Sequence, residues 1–361
     1  MSASLTGGGL PAFGAAPAGQ LPTAADGQAP PGSLPTRGPR PEVAVVMATY
    51  RRPDMLRRCL EAVVGQSLAG DRYEVVVVDD GPDDDTRRVV EAMDAATGGA
   101  PAVRYLRNVG KGPATARNVG WRASAAPLIA FTDDDTVPDA DWLREGLAAM
   151  SSGHAAASGR VRVPVEGAPT DHARMTQGLE TAEFVTANAF VRRDILLRVG
   201  GFDERFKRAW REDSDLHFAI LSLGAEVIRA DRAVVLHPVR PAPWGISLGQ
   251  QKNVVFDGLL YKKHRALFRQ KVRTQPPWLY LGIVGLTGAA LVALANGAPQ
   301  AAGWCGLGAL LGIGRFAWLR LRGASHDPAH VWEMLCTSAA IPFLALWWRV
   351  VGAWRFKVIY P

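Results

Sequence analysis

Carboxylates dominate the residues of this chain that could do chemistry. Asp133, Asp134 and Asp135 stand in a row within Phe131-Thr132-Asp133-Asp134-Asp135-Thr136-Val137-Pro138-Asp139, directly after the apolar run Pro127-Leu128-Ile129-Ala130-Phe131. Three like charges at a strand end repel one another. A hard divalent cation, Mg²⁺ or Mn²⁺, removes that penalty, because its charge outweighs the repulsion and oxygen ligands suit it. Alternate side chains of an extended backbone share a side, so Asp133 and Asp135 are the first metal-ligand candidates. The same string also suits a solvated acidic turn, since Asp and Pro are turn formers. A second pair, Glu212-Asp213, opens an amphipathic helix carrying Leu216, Ile220 and Leu223. There the macrodipole favours ionised carboxylates. The pair reads either as helix capping or as a general base held beside the metal to deprotonate an incoming hydroxyl. His237 follows the apolar run Ala233–Leu236. At a strand end it is a third metal ligand or a diphosphate contact, against the commoner structural or solvated histidine.

These groups need a scaffold that gathers them. Val43–Met47, Tyr73–Val78, Val103–Leu106 and the run before Asp133 are continuous apolar strands. Helices are expected from Met55 to about Ser67 with Asp54 as N-cap, over about 83–96, around Ala116–Gly120, and from Asp141 to about Met150. Further strands read at Ala156–Val163, Phe184–Val191, Ala225–Ile228 and Ala233–Leu236, with a short helix opening at Arg193. Fully apolar strands alternating with helices predict an α/β fold, a parallel sheet with helices on both faces. Ligands bind such sheets at the carboxyl ends of the strands, where Thr49, Asp79–Asp80 and Asp133–Asp135 all fall. Gly110-Lys111-Gly112 lacks the third glycine of a dinucleotide fingerprint and follows the third strand, which excludes that reading. The loop instead lets backbone approach a phosphate or nucleoside, with Lys111 or Arg117 as a nearby cation.

The 361 residues carry a net charge of +7 and bound two or three units. The basic residues form no stripe interleaved with aromatics, so a nucleic-acid partner is not expected. Many crowd instead just before an apolar C-terminal region, a membrane-surface pattern. Cys59, Cys305 and Cys336 give no disulfide framework, which points to a reducing compartment. Residues 1–41, rich in Gly, Pro and Ala, are expected to be a disordered tail without a secretory signal. Residues 42–240 form the soluble domain. Residues 241–275 read as a basic amphipathic segment lying on an anionic leaflet, or as a solvated charged helix. Residues 276–361 read as a membrane region of two to three helices. Trp278 to about Ala295 is long enough to span, and Ala301 to Leu319 follows after a five-residue turn, weakened by Arg315. Basic residues before the first span, with Arg320 and Arg322 after the second, place both ends in the cytoplasm. A third stretch, Val331 to Val351, is membrane-embedded, but its topology stays open. A full crossing would put Arg355 and Lys357 outside, whereas Pro342, Trp347, Trp348 and Trp354 suit a re-entrant or interfacial helix equally.

Val-Val-Met-Ala-Thr-Tyr-Arg-Arg (45–52), Val-Asp-Asp-Gly (78–81), Gly-Pro-Ala-Thr-Ala-Arg-Asn-Val-Gly (112–120) and Thr-Asp-Asp-Asp (132–135) occur in this order, followed by Gly-Gly-Phe-Asp-Glu (200–204) and Arg-Glu-Asp-Ser-Asp-Leu (211–216). The set resembles the inverting family 2 glycosyltransferases over about residues 42–240. The resemblance implies a GT-A fold, a Rossmann-like and mostly parallel sheet, that binds a nucleotide-diphospho-sugar with Mg²⁺ or Mn²⁺. It implies that Thr49, Tyr50, Asp79 and Asp80 hold the base and ribose, with Asp80 facing the base. Arg51 and Asp134 belong to the same nucleotide-binding set. It places the metal motif on Asp133 and Asp135 and the catalytic base on Asp213, beside Glu212. The Gln-x-x-Arg-Trp string of processive members is absent, which implies transfer of one sugar per encounter.

The expectation is therefore a glycosyltransferase at the cell (inner) membrane, catalytic domain in the cytoplasm, acting on a lipid or lipid-linked acceptor. Two other readings remain: a nucleotidyltransferase of similar fold, and a catalytically inactive membrane scaffold or nucleotide sensor.

Overall fold

The computed structural model describes residues 40–361, so the tail expected over 1–41 lies, but for its last two residues, outside the described residues. The strands are β1 (Val43–Thr49), β2 (Tyr73–Asp79), β3 (Ala102–Arg107), β4 (Leu128–Thr132), β5 (Val137–Pro138), β6 (Ala156–Arg162), β7 (Asn188–Arg192) and β8 (Val227–Leu236). The helices of the same domain are α1 (Pro53–Val64), α2 (Asp84–Thr97), α3 (Pro113–Arg122), α4 (Trp142–Met150), α5 (Asp171–Gln177), α6 (Arg193–Val199) and α7 (Glu212–Ser222). All strands join one sheet in the order β3-β2-β1-β4-β7-β6-β8-β5. Strands β1 to β4 pair in parallel. Strand β7 runs antiparallel to both β4 and β6, and β5 antiparallel to β8. The sheet is mostly parallel rather than wholly so.

The continuous apolar runs are explained by what covers them. Every residue of β2, and all but one of β1, is buried. Val45, Met47, Val75 and Val77 pack on one face with Leu56 and Leu60 of α1. Their alternates, Ala44, Val46, Val76 and Val78, pack on the other with Trp121 of α3 and Leu216 of α7. A two-residue side-chain period with both faces covered leaves no place for an unpartnered polar residue, and the buried Glu74 of β2 is paired with Arg104 at 2.8 Å.

Three boundaries differ from expectation. Helix α1 begins at Pro53, because a first-turn proline lacks an N–H that would have no partner anyway; Asp54 lies inside that turn. The strand expected over Phe184–Val191 shortens to Asn188–Arg192, since Asn188 N–H turns back onto Val185 O at 3.1 Å. The two late strands are one, β8, whose register against β6 shifts between Gly159 and Arg160. The residues between the two expected strands belong to it, with Asp231, Arg232 and Ala233 left without register partners on β6. Asn188 fills the irregularity, donating Nδ2 to Arg160 O (3.0 Å) and Ala233 O (2.8 Å) while accepting from Trp142 Nε1 at 2.9 Å.

After the domain come α8 (Ile246–Gln250), α9 (Val255–Lys263) and α10 (Arg265–Lys271), with a 3-10 turn over Gln251–Val254 between the first two. The apolar side of this segment does not face outward as a leaflet-binding surface would. Phe256, Leu259, Leu260 and Phe268 are buried with Phe206, Phe218 and Tyr360. Lys263 bridges Asp203 and Asp215 at 2.7 Å each, tying α9 to α7. Three long apolar helices follow: α11 (Trp278–Ala295), α12 (Pro299–Leu321) and α13 (Pro328–Phe356), each long and apolar enough to cross a membrane. Helix α13 continues unbroken through Pro342.

Arg320 is more than a charge flanking an apolar helix. Buried at the end of α12, it donates to Thr337 Oγ1 (2.7 Å), Ser338 Oγ (3.1 Å), Ser247 Oγ (3.1 Å) and Asp171 Oδ2 (2.8 Å). A desolvated guanidinium needs its donors satisfied, and these partners join α12, α13, α8 and α5 at one point.

Candidate active site

The carboxyl ends of β1, β2 and β4 meet as the parallel register requires: Thr49 lies opposite Asp79. Asp79, wholly buried, accepts from Gly81 N (3.0 Å), Asp83 N (3.2 Å) and Tyr105 Oη (3.0 Å). Its work is to shape the turn that presents Asp80. Asp80 in turn accepts from Asn108 Nδ2 at 2.5 Å and from Gly112 N at 2.9 Å, which fixes the Gly110-Lys111-Gly112 loop. Gly112 has φ +98°, and a Cβ there would meet Lys207 O at 2.9 Å, so the position requires glycine.

The Asp triplet divides its labour. Asp134 turns inward, accepting from Thr49 Oγ1 at 2.7 Å and pairing with Arg52 at 3.1 Å. Burial pushes its carboxyl up to about 6, against Arg52 and Thr49. Asp133 and Asp135 instead converge with His237, and one ligand atom from each lies within 4.8 Å of the others. His237 Nε2 is 3.7 Å from Asp135 Oδ1, beyond hydrogen-bond range, so these donors face a shared space without satisfying one another. Two carboxylates and an imidazole fit a divalent cation. Three arginines offset the negative charge. Arg117 contacts Asp133 at 2.8 Å, Arg240 contacts Asp135 at 3.0 Å and Arg52 at 3.7 Å. Burial works to raise the Asp133 carboxyl, but the Arg117 guanidinium outweighs it and holds the group below the usual carboxylate range.

Buried Arg117 also reaches Glu212 Oε1 at 2.9 Å, so one side chain joins the metal candidates to the Glu212-Asp213 pair. Burial pushes Glu212 up to about 7. Asp213 is raised too, by burial, with the Ser214 N–H holding it back at 2.6 Å. Only Asp213 Oδ1 is engaged; Oδ2 has no protein partner among the described residues. Both carboxylates open α7 behind Arg211, whose φ of +74° is a strained value for a residue with a Cβ. Arg211 is held there by Asp257 of α9 at 2.8 Å.

The turn Gly200–Glu204 that delivers this helix is braced by Asn118. Its Nδ2 donates to Phe202 O and Glu204 Oε1, both at 2.9 Å, and its Oδ1 accepts from Phe202 N and Trp121 Nε1, also at 2.9 Å. All of the side chain's usual valences are used. Gly201 has φ +77°, and a Cβ would lie 2.5 Å from Asn118 Oδ1. Gly201→Ala is therefore expected to cost about 1–3 kcal/mol, read as a lower thermal midpoint. An unchanged midpoint would show that the brace is dispensable.

Two cavities flank the cluster. One, of about 230 Å³, is lined by Thr49, Tyr50, Asp80 and all three triplet carboxylates. The other, of about 470 Å³, is lined by Glu212, Asp213, His172 and Phe184. Arg117, Asp133, Ala209, His237 and Arg240 border both. Of the residues expected at the site, Thr49, Tyr50, Asp80, Arg117, Asp133–Asp135, His237, Glu212 and Asp213 thus line a joined cleft. Arg51, Asp79 and Lys111 line neither cavity. Arg51 and Lys111 are exposed, and Asp79 is consumed by its turn. Sequence reasoning missed Arg52 and Arg240. Arg52 stood in the 45–52 string, and Arg240, three residues past His237, could have been found by asking what else that strand end delivers.

The chain matches the glycosyl transferase family 2 model over residues 44–209 and the glycosyl transferase family group 2 model over residues 128–348. Glycosyltransferase AglE of Haloferax volcanii is 27% identical over 213 residues, 56% of this chain and 68% of that protein. Validoxylamine A glucosyltransferase of Streptomyces hygroscopicus subsp. limoneus is 36% identical over 111 residues, 30% of this chain and 24% of that protein. Pre-mycofactocin glycosyltransferase of Mycobacterium tuberculosis is 30% identical over 216 residues, 55% of this chain and 43% of that protein. Among solved structures, mannosyltransferase PcManGT from Pyrobaculum calidifontis, in complex with GDP-Man and Mn²⁺, superposes with a TM-score of 0.54. It covers 87% of this chain and 90% of its own at 22% identity, a likeness of fold.

Proposed function

The chain belongs to glycosyl transferase family group 2 and has a GT-A-like fold, and from that membership we propose that it moves one sugar per encounter, with inversion, from a nucleotide-diphospho-sugar to a hydroxyl of a lipid or lipid-linked acceptor. The observation that carries the reading is the joined cleft: Asp133 and His237 border both a nucleotide-side cavity, which Asp135 also lines, and a cavity holding Asp213. Inversion needs that geometry, since the acceptor must approach from the face opposite the departing diphosphate.

Asp133, Asp135 and His237 would hold the divalent ion, which when bound supplies positive charge where the diphosphate departs. The GDP-Man and Mn²⁺ of the mannosyltransferase structure support a donor and an ion of these classes. Arg52 and Arg240, each already beside Asp135, add fixed positive charge for the same leaving group. Asp80 and Tyr50 line the nucleotide end. Asp213 takes the acceptor hydroxyl's proton through its unengaged oxygen, while Glu212, locked to Arg117, positions the helix start. A nucleotidyltransferase would attack with an already ionised phosphate and have no use for this base.

The acceptor reading follows from the C-terminal helices, which associate the chain with a membrane; the basic residues flanking the α11–α12 hairpin favour a cytoplasmic catalytic domain at the cell membrane. A thermal-shift screen of the full chain with UDP-, GDP- and dTDP-sugars, with and without Mn²⁺, tests the donor half. One nucleotide class is expected to raise the midpoint only when metal is present. No metal-dependent rise with any of them would remove the transferase reading.

A further inference from the structure

We propose that α13 does not cross the bilayer but lies along its surface on the catalytic side, with an exposed aromatic stripe seated at the lipid interface, so that the α11–α12 hairpin alone spans. The proposal rests on the membrane location given above and is independent of the transfer chemistry.

The helix has two faces along its whole length. Met334, Thr337, Ile341, Ala345 and Gly352 are buried against the protein. Trp332, Leu335, Phe343, Trp347, Val350 and Trp354 are exposed, at helical spacing, on one opposite stripe, Trp354 at 82%. What covers the buried face decides the orientation. Glu333 Oε1 accepts from Gly245 N at 2.8 Å, Lys252 Nζ lies 5.8 Å from the Trp348 ring, and Lys262 Nζ donates to Phe356 O at 3.0 Å. Beyond the helix, Tyr360 Oη donates to Val254 O at 3.1 Å. So α13 runs alongside residues 245–262 from its first turns to its last. That segment is fastened to the catalytic domain, through Asp257 to Arg211 and through Lys263 to Asp203 and Asp215. The start of α13 is fastened there as well, His330 Nε2 accepting from Asp171 N at 3.0 Å.

Both ends of a 29-residue helix, about 43 Å long at 1.5 Å per residue, are therefore held against the water-soluble domain. If it crossed a hydrocarbon core of about 30 Å, it would draw Lys252, Asp257 and Lys262 into lipid with it. Lying flat, it leaves them in water and offers three tryptophans to the head-group region, where indoles prefer to sit. Arg355 and Lys357 then stay on the cytoplasmic side with the other basic residues, which removes the charge asymmetry a third crossing would create.

Depth measurements on the full chain in lipid nanodiscs test this. With Cys59, Cys305 and Cys336 replaced by alanine, a spin label is placed singly at Leu335→Cys, Phe343→Cys and Val350→Cys, all exposed positions. The expected result is one shared depth, near the head groups, with Leu286→Cys on α11 reporting the bilayer centre. A depth that changes steadily from 335 to 350, by about 20 Å as a crossing helix demands, overturns the proposal. So do labels shielded from both lipid and water, which would mean that a second copy or another protein covers the stripe. In sealed vesicles an impermeant maleimide should label Lys357→Cys on the same side as Arg88→Cys and opposite Asn296→Cys. Labelling of 357 together with 296 refutes it, whatever the enzyme assays show.

Discussion

Asp213→Asn is expected to lower kcat for sugar transfer by about 10²–10⁴ while leaving nucleotide and Mn²⁺ binding intact. Asparagine keeps the carbonyl oxygen that accepts from Ser214 N, so the start of α7 retains its geometry. What is lost is the capacity to carry a proton. The neighbouring carboxylate offers the contrast: Glu212 is tied to Arg117 at 2.9 Å and buried, so Glu212→Gln perturbs a positioning contact, not the base. The pH profile separates the two. Burial raises Asp213, and a base with a raised pKa is protonated, hence inactive, up to a higher pH. The acidic limb of kcat should therefore lie above the ordinary aspartate range. Glu212→Gln removes a negative neighbour and frees Arg117 from its counter-charge, and both changes favour the ionised form of Asp213. That variant's acidic limb should move to lower pH. Single-turnover rates over about pH 4–9, from the ordinary carboxylate range upward, decide the matter. An Asp213→Asn enzyme within tenfold of the parent, with an unchanged profile, would return the base role to another group.

Much of this site could be read before the structure because parallel strands are covered on both faces. Where Val75–Val78 gives way to Asp79 and Asp80 the apolar strand is ending, and a parallel sheet sends all such ends to one rim, Asp79 still buried within β2 and Asp80 just beyond it. What the sequence hid is long-range and polar. Nothing near Asn118 announces that it braces Phe202, 84 positions away. Nor does Asp257 advertise its hold on Arg211. In β8, the polar stretch between Ala225–Ile228 and Ala233–Leu236 interrupts the apolar pattern, and only the shifted register against β6 shows that one irregular strand runs through it. The amphipathic pattern of residues 255–268 located an apolar side correctly but was silent on whether lipid or protein covers it, and here Phe206 and Phe218 do. Periodicity names a face and never its partner.

Asp135→Ala should abolish the Mn²⁺-dependent thermal shift and sugar transfer together, with little change in the stability of the metal-free protein. The reason lies in how its partners are placed. Arg240 is half-exposed and Arg52 keeps Asp134, so neither guanidinium is stranded in a dry interior when Asp135 is removed. The Asp135 carboxyl is itself only 6% exposed, but both arginine partners reach solvent, at 49% and 30%, and such pairs contribute about 0–1 kcal/mol. The parent, by contrast, gains about 2.7 kcal/mol from a ligand at a hundred times its Kd, which for a domain of this size moves the midpoint by about 5–10 °C. Asp134→Ala should do the reverse. Its carboxylate is buried against Thr49 and Arg52, so its loss leaves a buried hydroxyl without its acceptor and costs roughly 1–3 kcal/mol before any metal is added. Melting curves of both variants with and without Mn²⁺ and the nucleotide diphosphate distinguish ligand from brace within one Asp triplet. If Asp135→Ala still responds to Mn²⁺ as the parent does, the cation is held elsewhere, and the convergence of Asp133, Asp135 and His237 has another cause.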